Sequence, residues 1–172
     1  MKNIIKAIAT SVIVLAAANS SFAQATATAS CSANIITPIT ITKTVDMNFG
    51  NVAVSATTAG TAVLAPAGTR TTGGAGGVTL PANNGTVAAA SFTVAGQATY
   101  TYAITLPSTA TISSGGNTMT VNTFTSSPAT TSTLSGTGSQ TLTVGATLNV
   151  AAGQASGAYT NATAVPVTVN YN

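Results

Sequence analysis

The side chains that could carry out chemistry are few in this 172-residue chain. It contains no histidine, and beyond residue 23 its charged side chains are Lys43, Asp46 and Arg70. A single carboxylate cannot form the acid–base pair of a glycosidase, and a nucleophilic serine or cysteine has no histidine as its base. Metal sites need several His, Cys, Asp or Glu ligands, and only Cys31 and Asp46 are available. The sequence therefore predicts a protein that is not an enzyme and that holds no cofactor or metal.

The remaining polar and aromatic candidates have structural explanations. We expect Asp46 to accept hydrogen bonds in a turn and Lys43 to be a solvated residue at a sheet edge. Tyr100 and Tyr102 could stack on a sugar, but they share one side of a strand rich in Ile and Leu, so we expect them in the core. Residues 67–77, "AGTRTTGGAGG", lack the spacing of a phosphate-binding motif and predict a flexible surface loop.

The first 23 residues have the pattern of a secretory signal peptide. Lys2 and Lys6 precede an apolar run that is too short to cross a membrane, and Ser21-Phe22-Ala23 places small residues at the cleavage site. We expect an exported mature chain that begins at Gln24 and has no transmembrane segment. Its charged side chains sum to +1, which leaves no basic patch for nucleic acid.

Cys31 is the one cysteine of the chain. Export implies an oxidising compartment, but a single thiol cannot form an internal disulfide. We expect Cys31 to be a small buried hydrophobic residue, and an intermolecular disulfide is the alternative.

Apolar and polar residues alternate along the mature chain, which is typical of β-strands. After residues 25–35, strands are predicted near 39–49, 61–65, 78–80, 92–94, 100–106, 119–121, 134 and 140–150, with turns at 50–51, 84–85 and 114–117. Eight or nine short strands without a helix predict an all-β domain, an antiparallel β-sandwich over residues 38–172.

The two ends of the mature chain differ from ordinary termini. The final strand places Val165, Val167, Val169 and Tyr171 on one face, and Pro166 within it lacks an N–H, which favours a sheet edge. An exposed edge is a template for a further strand. Residues 24–37 are a candidate donor of that strand, because one face carries small apolar side chains: Ala25, Ala27, Ala29, Cys31, Ala33 and Ile35. Donor and acceptor surfaces that differ would link copies into a fibre.

Several stretches resemble a known family, among them "PITITKTVDMNFGNV", "YTYAITLPSTATISSGGNTMTVNTFTS" and "GAYTNATAVPVTVNYN". Together they resemble the bacterial secreted domain of unknown function 4402 family, which has no assigned activity. More distantly, "MNFGNV" and the valine-rich ending with Tyr171 penultimate are similar to chaperone–usher pilins of the spore coat protein U type. That resemblance implies an immunoglobulin-like sandwich without its last strand. It also implies completion by a periplasmic chaperone and then by the next subunit, with an outer-membrane usher, at the surface of a Gram-negative bacterium.

Two functions remain open from the sequence. The first is a pilus- or fimbria-like structural subunit that polymerises by strand addition. The second is a self-contained secreted β-sandwich that acts as a surface binding or adhesion module, in which residues 25–35 pair within their own domain.

Overall fold

The computed structural model describes residues 24–172, so the predicted signal peptide, residues 1–23, lies outside the described residues. The chain divides into two units, with the boundary between Ile35 and Ile36. Within the first unit, residues 24–35 form no helix or strand, and their side chains are exposed. The strand predicted for residues 25–35 is therefore absent from the single chain. An extended segment becomes a strand only when a neighbour satisfies its backbone groups, and the described residues supply no such neighbour.

All strands of the described chain lie in residues 36–172, which contain no helix. The fourteen strands are β1 (Thr40–Val45), β2 (Asn48–Phe49), β3 (Ala53–Val54), β4 (Gly60–Leu64), β5 (Arg70–Gly73), β6 (Val78–Thr79), β7 (Val87–Ala88), β8 (Ala90–Ala95), β9 (Thr101–Thr105), β10 (Thr109–Ser114), β11 (Asn117–Ser127), β12 (Thr131–Thr133), β13 (Ser139–Val150) and β14 (Thr168–Tyr171). Every ladder between them is antiparallel. The prediction of an all-β antiparallel fold is confirmed.

The longest strand, β13, organises a seven-stranded sheet. Along one edge its first half pairs with β8 and its second half with β4, whereas β11 pairs along its other edge. The strands β1, β10 and β5 extend the sheet beyond β8, β11 and β4. Gly145 lies where β4 replaces β8, and a Cβ at this position would overlap the carbonyl oxygen of Leu64. Only glycine allows the two backbones to approach so closely.

A three-stranded sheet, in the order β12-β9-β14, covers the half of the large sheet that contains β8. Tyr102, Ile104 and Val169 from the small sheet pack with Phe92 and other buried residues of the large sheet in one apolar cluster. The alternation predicted for β13 is correct, because its inward side chains are all buried: Leu142, Val144, Ala146, Leu148 and Val150. Two sheets that face each other across this cluster make the domain a sandwich.

The other half of the large sheet is covered differently. Its buried side chains, including Ala62, Val121 and Leu148, form a second cluster. The elements above them are only the two-residue ladders β2–β7 and β3–β6 and the irregular chain around them. The three-stranded sheet does not extend over this half, so part of its apolar face remains accessible.

Two predicted elements differ in detail from the structure. The stretch 67–77, expected to be a flexible loop, contains β5, which pairs with β4 as a hairpin; its threonines fit a strand despite the glycines that flank them. The final strand is shorter than the alternation suggested, since β14 begins at Thr168 and Pro166 lies before it. Proline has no N–H for a ladder, which explains why pairing starts only after it.

Candidate functional site

The three charged side chains of the described residues have structural roles in this fold. Lys43 Nζ lies 2.6 Å from Asp46 Oδ1, and both side chains are exposed. Asp46 therefore pairs with Lys43 rather than accepting bonds in a turn. The Arg70 guanidinium donates to the carbonyl oxygens of Phe49 and Asn51, the latter at 2.7 Å. Within residues 24–172, no three His, Cys, Asp or Glu side chains lie together as a metal site would require.

The two candidate sugar-stacking tyrosines have different environments. Tyr102 is fully buried, as expected, and its hydroxyl donates to Gln140 Oε1 at 3.1 Å. Burial raises the pKa of Tyr102 above its ordinary value of 10.0, opposed by a hydrogen bond with Ser132. Tyr100 precedes β9 and is 42% exposed, so its prediction as a core residue is wrong. Its ring packs edge-on against Tyr171, with centroids 5.8 Å apart.

Tyr171 fixes the start of the folded domain. Its hydroxyl donates to the carbonyl oxygen of Thr37 at 2.8 Å and accepts from the backbone N–H of Gln97 at 2.5 Å. The Gln97 side chain in turn accepts from the backbone N–H of Thr37 at 3.3 Å. Both backbone groups of Thr37 are thus held, one residue after the second unit begins at Ile36.

The last strand, β14, lies at the edge of its sheet. It pairs with β9 through residues 168–171, and no strand of the described chain pairs along its opposite edge. Val169 is buried, while the other members of the predicted face pack half-buried against the same core: Val165, Val167 and Tyr171. The apolar side chains of this strand thus face inward, and among the described strands only β9 pairs with its backbone.

A groove with a cavity of about 1140 Å³ lies over the half of the large sheet that the small sheet does not cover. Residues 45–54 form one wall and residues 154–165 form the other. The floor consists of apolar side chains from both sheet halves: Ala90, Phe92, Ile112, Met119, Val121, Leu148 and Val150. Val165 lies three residues before β14, so the groove reaches the segment that leads into that strand.

Each wall of the groove is anchored to a different part of the domain. Arg70 holds the first wall through its bonds to Phe49 and Asn51. The second wall is tied to β10, because Thr160 forms a β-bridge with Ser113 and Asn161 Nδ2 donates to the carbonyl oxygen of Thr111 at 2.8 Å. These anchors hold the two walls on opposite sides of the apolar floor.

One end of the groove is closed by the backbone. The N–H of Gly153 donates to the carbonyl oxygen of Ser55 at 2.9 Å, which joins the chain just before the second wall to the chain just after the first. The groove therefore has a closed end at this bond and extends from there toward β14.

The candidate donor residues are exposed in the N-terminal unit. Ile35 is 95% exposed, and the other members of its predicted face are exposed as well: Ala25, Ala27, Ala29, Cys31 and Ala33. The expectation that Cys31 is buried is wrong for the single chain.

Sequence alternation predicted an acceptor edge but not the groove. Of the four residues named from the final strand, Val165 alone lines the groove. The floor comes from strands whose alternation predicts an ordinary buried core. The walls come from segments with little regular structure. Only the tertiary arrangement of the two sheets shows that this part of the apolar face is left uncovered.

The fold and groove define an all-β antiparallel sandwich domain with an incompletely covered core. The family model for the domain of unknown function DUF4402 matches residues 39–171. The chain belongs to this family, as the sequence motifs suggested. Comparison with curated proteins and with solved structures gives no match. None of the described residues forms a helix that is long and apolar enough to span a membrane.

Proposed function

We propose that the protein is a structural subunit of a surface fibre that assembles by strand addition between copies. In this proposal, the exposed part of the candidate donor segment, residues 24–35 of one copy, enters the groove of the next and continues along the free edge of β14, while Thr37 stays bonded within its own domain. The supporting observation is that an apolar groove reaches the segment before β14, a strand paired on one edge only, in a protein whose N-terminal segment is exposed and alternating.

Burial of apolar surface provides the driving force for this contact. Ile112 and Met119 on the groove floor and Phe49 on its wall are only half-buried in the single chain. Fully burying a side chain of this size stabilises by about 1.5–3 kcal/mol relative to exposure. An inserted strand would cover several such residues at once, and the backbone edge would add hydrogen bonds that do not depend on side-chain identity.

The side chains of the donor suit a space between two walls. Alanines at every second position carry little volume and lose no rotamer freedom on burial. The opposite face of the segment carries Thr26, Thr28, Ser30 and Ser32, whose hydroxyls can remain in water. No charged side chain in residues 24–37 opposes burial.

The contact is heterologous, because the donor and acceptor surfaces differ. Such contacts continue from copy to copy and form a ring or an open filament. The signal-peptide pattern of residues 1–23 supports an assembly outside the inner membrane. A periplasmic chaperone that covers the groove before assembly, and an outer-membrane usher, complete the proposal, since the open groove would otherwise expose apolar surface during export.

A parity experiment tests the donor role. Ala29→Asp and Thr28→Asp each add one negative charge to the exposed segment, on its apolar and polar faces respectively. We expect filaments of the mature chain, seen by negative-stain electron microscopy, to disappear with Ala29→Asp and to persist with Thr28→Asp. Equal effects of the two variants would refute the proposed insertion.

A peptide experiment measures the same contact without filaments. A synthetic peptide of residues 24–37 should raise the Tm of the mature chain, because a ligand at 100 times its Kd adds about 2.7 kcal/mol of stability. The peptide with Ala29→Asp is the matched control and should have no effect. Globular particles that neither polymerise nor respond to the peptide would instead favour a self-contained binding or adhesion module.

A further inference from the structure

The outer face of the seven-stranded sheet carries rows of uncharged polar side chains. The strand registers place Thr111, Thr120, Asn149 and Thr61 side by side across β10, β11, β13 and β4. The neighbouring row contains Thr109, Asn122, Thr147, Val63 and Thr71. The inward neighbours of these residues, such as Val121 and Leu148, are buried, so the rows point to the outside of the sandwich.

The rows continue over the other half of the sheet. Thr42, Thr93 and Thr141 are aligned across β1, β8 and β13, and Ser91, Thr143 and Ser127 across β8, β13 and β11. These rows contain no charged and no aromatic side chain. We name this set of rows the hydroxyl face.

We propose that the hydroxyl face is a self-association surface, on which the same face of a second copy packs. The proposal rests on the proposed function for its setting, because it would join neighbouring fibres side by side. Each hydroxyl both donates and accepts hydrogen bonds, so two identical faces can satisfy each other. The threonine methyl groups add apolar contact, and no like charges oppose the approach.

Other partners fit the hydroxyl face less well. Nucleic acids and anionic membranes are bound through Lys and Arg, and the rows contain neither. Sugar recognition by ring stacking requires aromatic side chains, which are also missing from the rows. A second copy carries the same uncharged donors and acceptors, so its chemistry matches that of the face.

The size of the face predicts when association occurs. With strands about 4.8 Å apart and alternate residues about 6.8 Å apart, the rows cover roughly 500 Å². A stable interface between two proteins buries about 800 Å² on each partner. Single copies should therefore associate weakly, whereas many copies held in one array should associate strongly through multivalency.

A bead experiment tests the proposal without requiring filaments. Beads that carry the mature chain at high density, attached through Asn172, should clump in low-salt buffer, measured by light scattering. Thr120→Lys together with Thr147→Lys places two like charges on the face and should abolish clumping. Because salt screens exposed charges, about 1 M NaCl should restore it.

Matched variants separate this contact from strand addition. Thr101→Lys together with Thr105→Lys adds the same charge to the outer face of β9, where both residues are exposed, and should leave clumping unchanged. Ala29→Asp, which should block strand addition, should also leave clumping unchanged. The proposal is overturned if wild-type beads do not clump, even if they bind an uncharged polysaccharide, or if Ala29→Asp rather than the Thr120 and Thr147 pair abolishes clumping. Thermal unfolding of each variant verifies that it remains folded.

Discussion

The hydroxyl of Tyr171 donates a 2.8 Å hydrogen bond to the carbonyl oxygen of Thr37, 134 positions earlier in the chain. This contact links the free-edge strand to the point where the N-terminal segment leaves the domain. Both residues belong to the unit of residues 36–172, so the bond fixes the start of that unit against its last strand.

Removing this hydroxyl should loosen the start of the domain. Tyr171→Phe leaves the Thr37 carbonyl and the Gln97 N–H without their partner, which should cost about 1–2 kcal/mol in the free energy of unfolding. Urea denaturation measures the loss, and amide exchange should increase at Gln97. Tyr100→Phe is the control, because it keeps the ring contact with Tyr171; an equal loss from both variants would contradict the assigned role of the bond.

Gly145 should not tolerate a side chain. The Cβ of Gly145→Ala would overlap the Leu64 carbonyl oxygen, and overpacking of this kind costs about 1–3 kcal/mol. Gly136→Ala makes a matched control, since a Cβ at that position meets no atom within 4 Å. The Tm should fall for Gly145→Ala and stay within a degree or two for Gly136→Ala. A tolerated Gly145→Ala would mean that β4 and β8 do not meet at β13 as described.

The two cations outside the predicted signal peptide should differ in their effect on stability. Arg70→Ala removes a charged donor from two backbone carbonyls of the groove wall, and hydrogen bonds to charged groups contribute about 1.5–3 kcal/mol. Lys43→Ala removes an exposed ion pair, which typically contributes 0–1 kcal/mol. Chemical denaturation of both variants should therefore show the larger loss for Arg70→Ala. The reverse order would imply that the wall is held by other contacts.

Stability should decrease at alkaline pH because of Tyr102. Burial raises the pKa of this phenol in the folded state, so the unfolded chain releases the Tyr102 proton more readily than the folded one. The stabilisation is complete below the ordinary tyrosine pKa of about 10 and is lost as pH rises toward the higher folded value. The Tm of wild type should fall more steeply above pH 10 than that of Tyr102→Phe. Parallel curves would show that Tyr102 does not contribute.

Local patterns predicted most of the strands. The alternation in β13 identified its buried residues correctly, since a strand buried on one face shows a period of two. The Gly115-Gly116 turn between β10 and β11 was also predicted, and both glycines adopt the positive φ that a tight hairpin requires. These features depend only on neighbouring residues, which is why sequence alone reveals them.

The features that escaped prediction depend on residues far apart in sequence. The bond from Tyr171 to Thr37 and the exchange of β8 for β4 beside Gly145 leave no local pattern. The donor segment shows the opposite case, because its alternation is clear while no partner strand exists within the described chain. Alternation indicates that a segment can form a strand, but only the folded structure shows whether a partner strand is present.

The bond between Gly153 and Ser55 has a mechanical consequence for a polymer built in the proposed way. A groove that is blocked at one extremity limits how far a donor strand can enter, so each inserted strand would stop in the same register. Successive units would then be spaced by one fixed axial increment and point in one direction, which gives the filament a defined polarity.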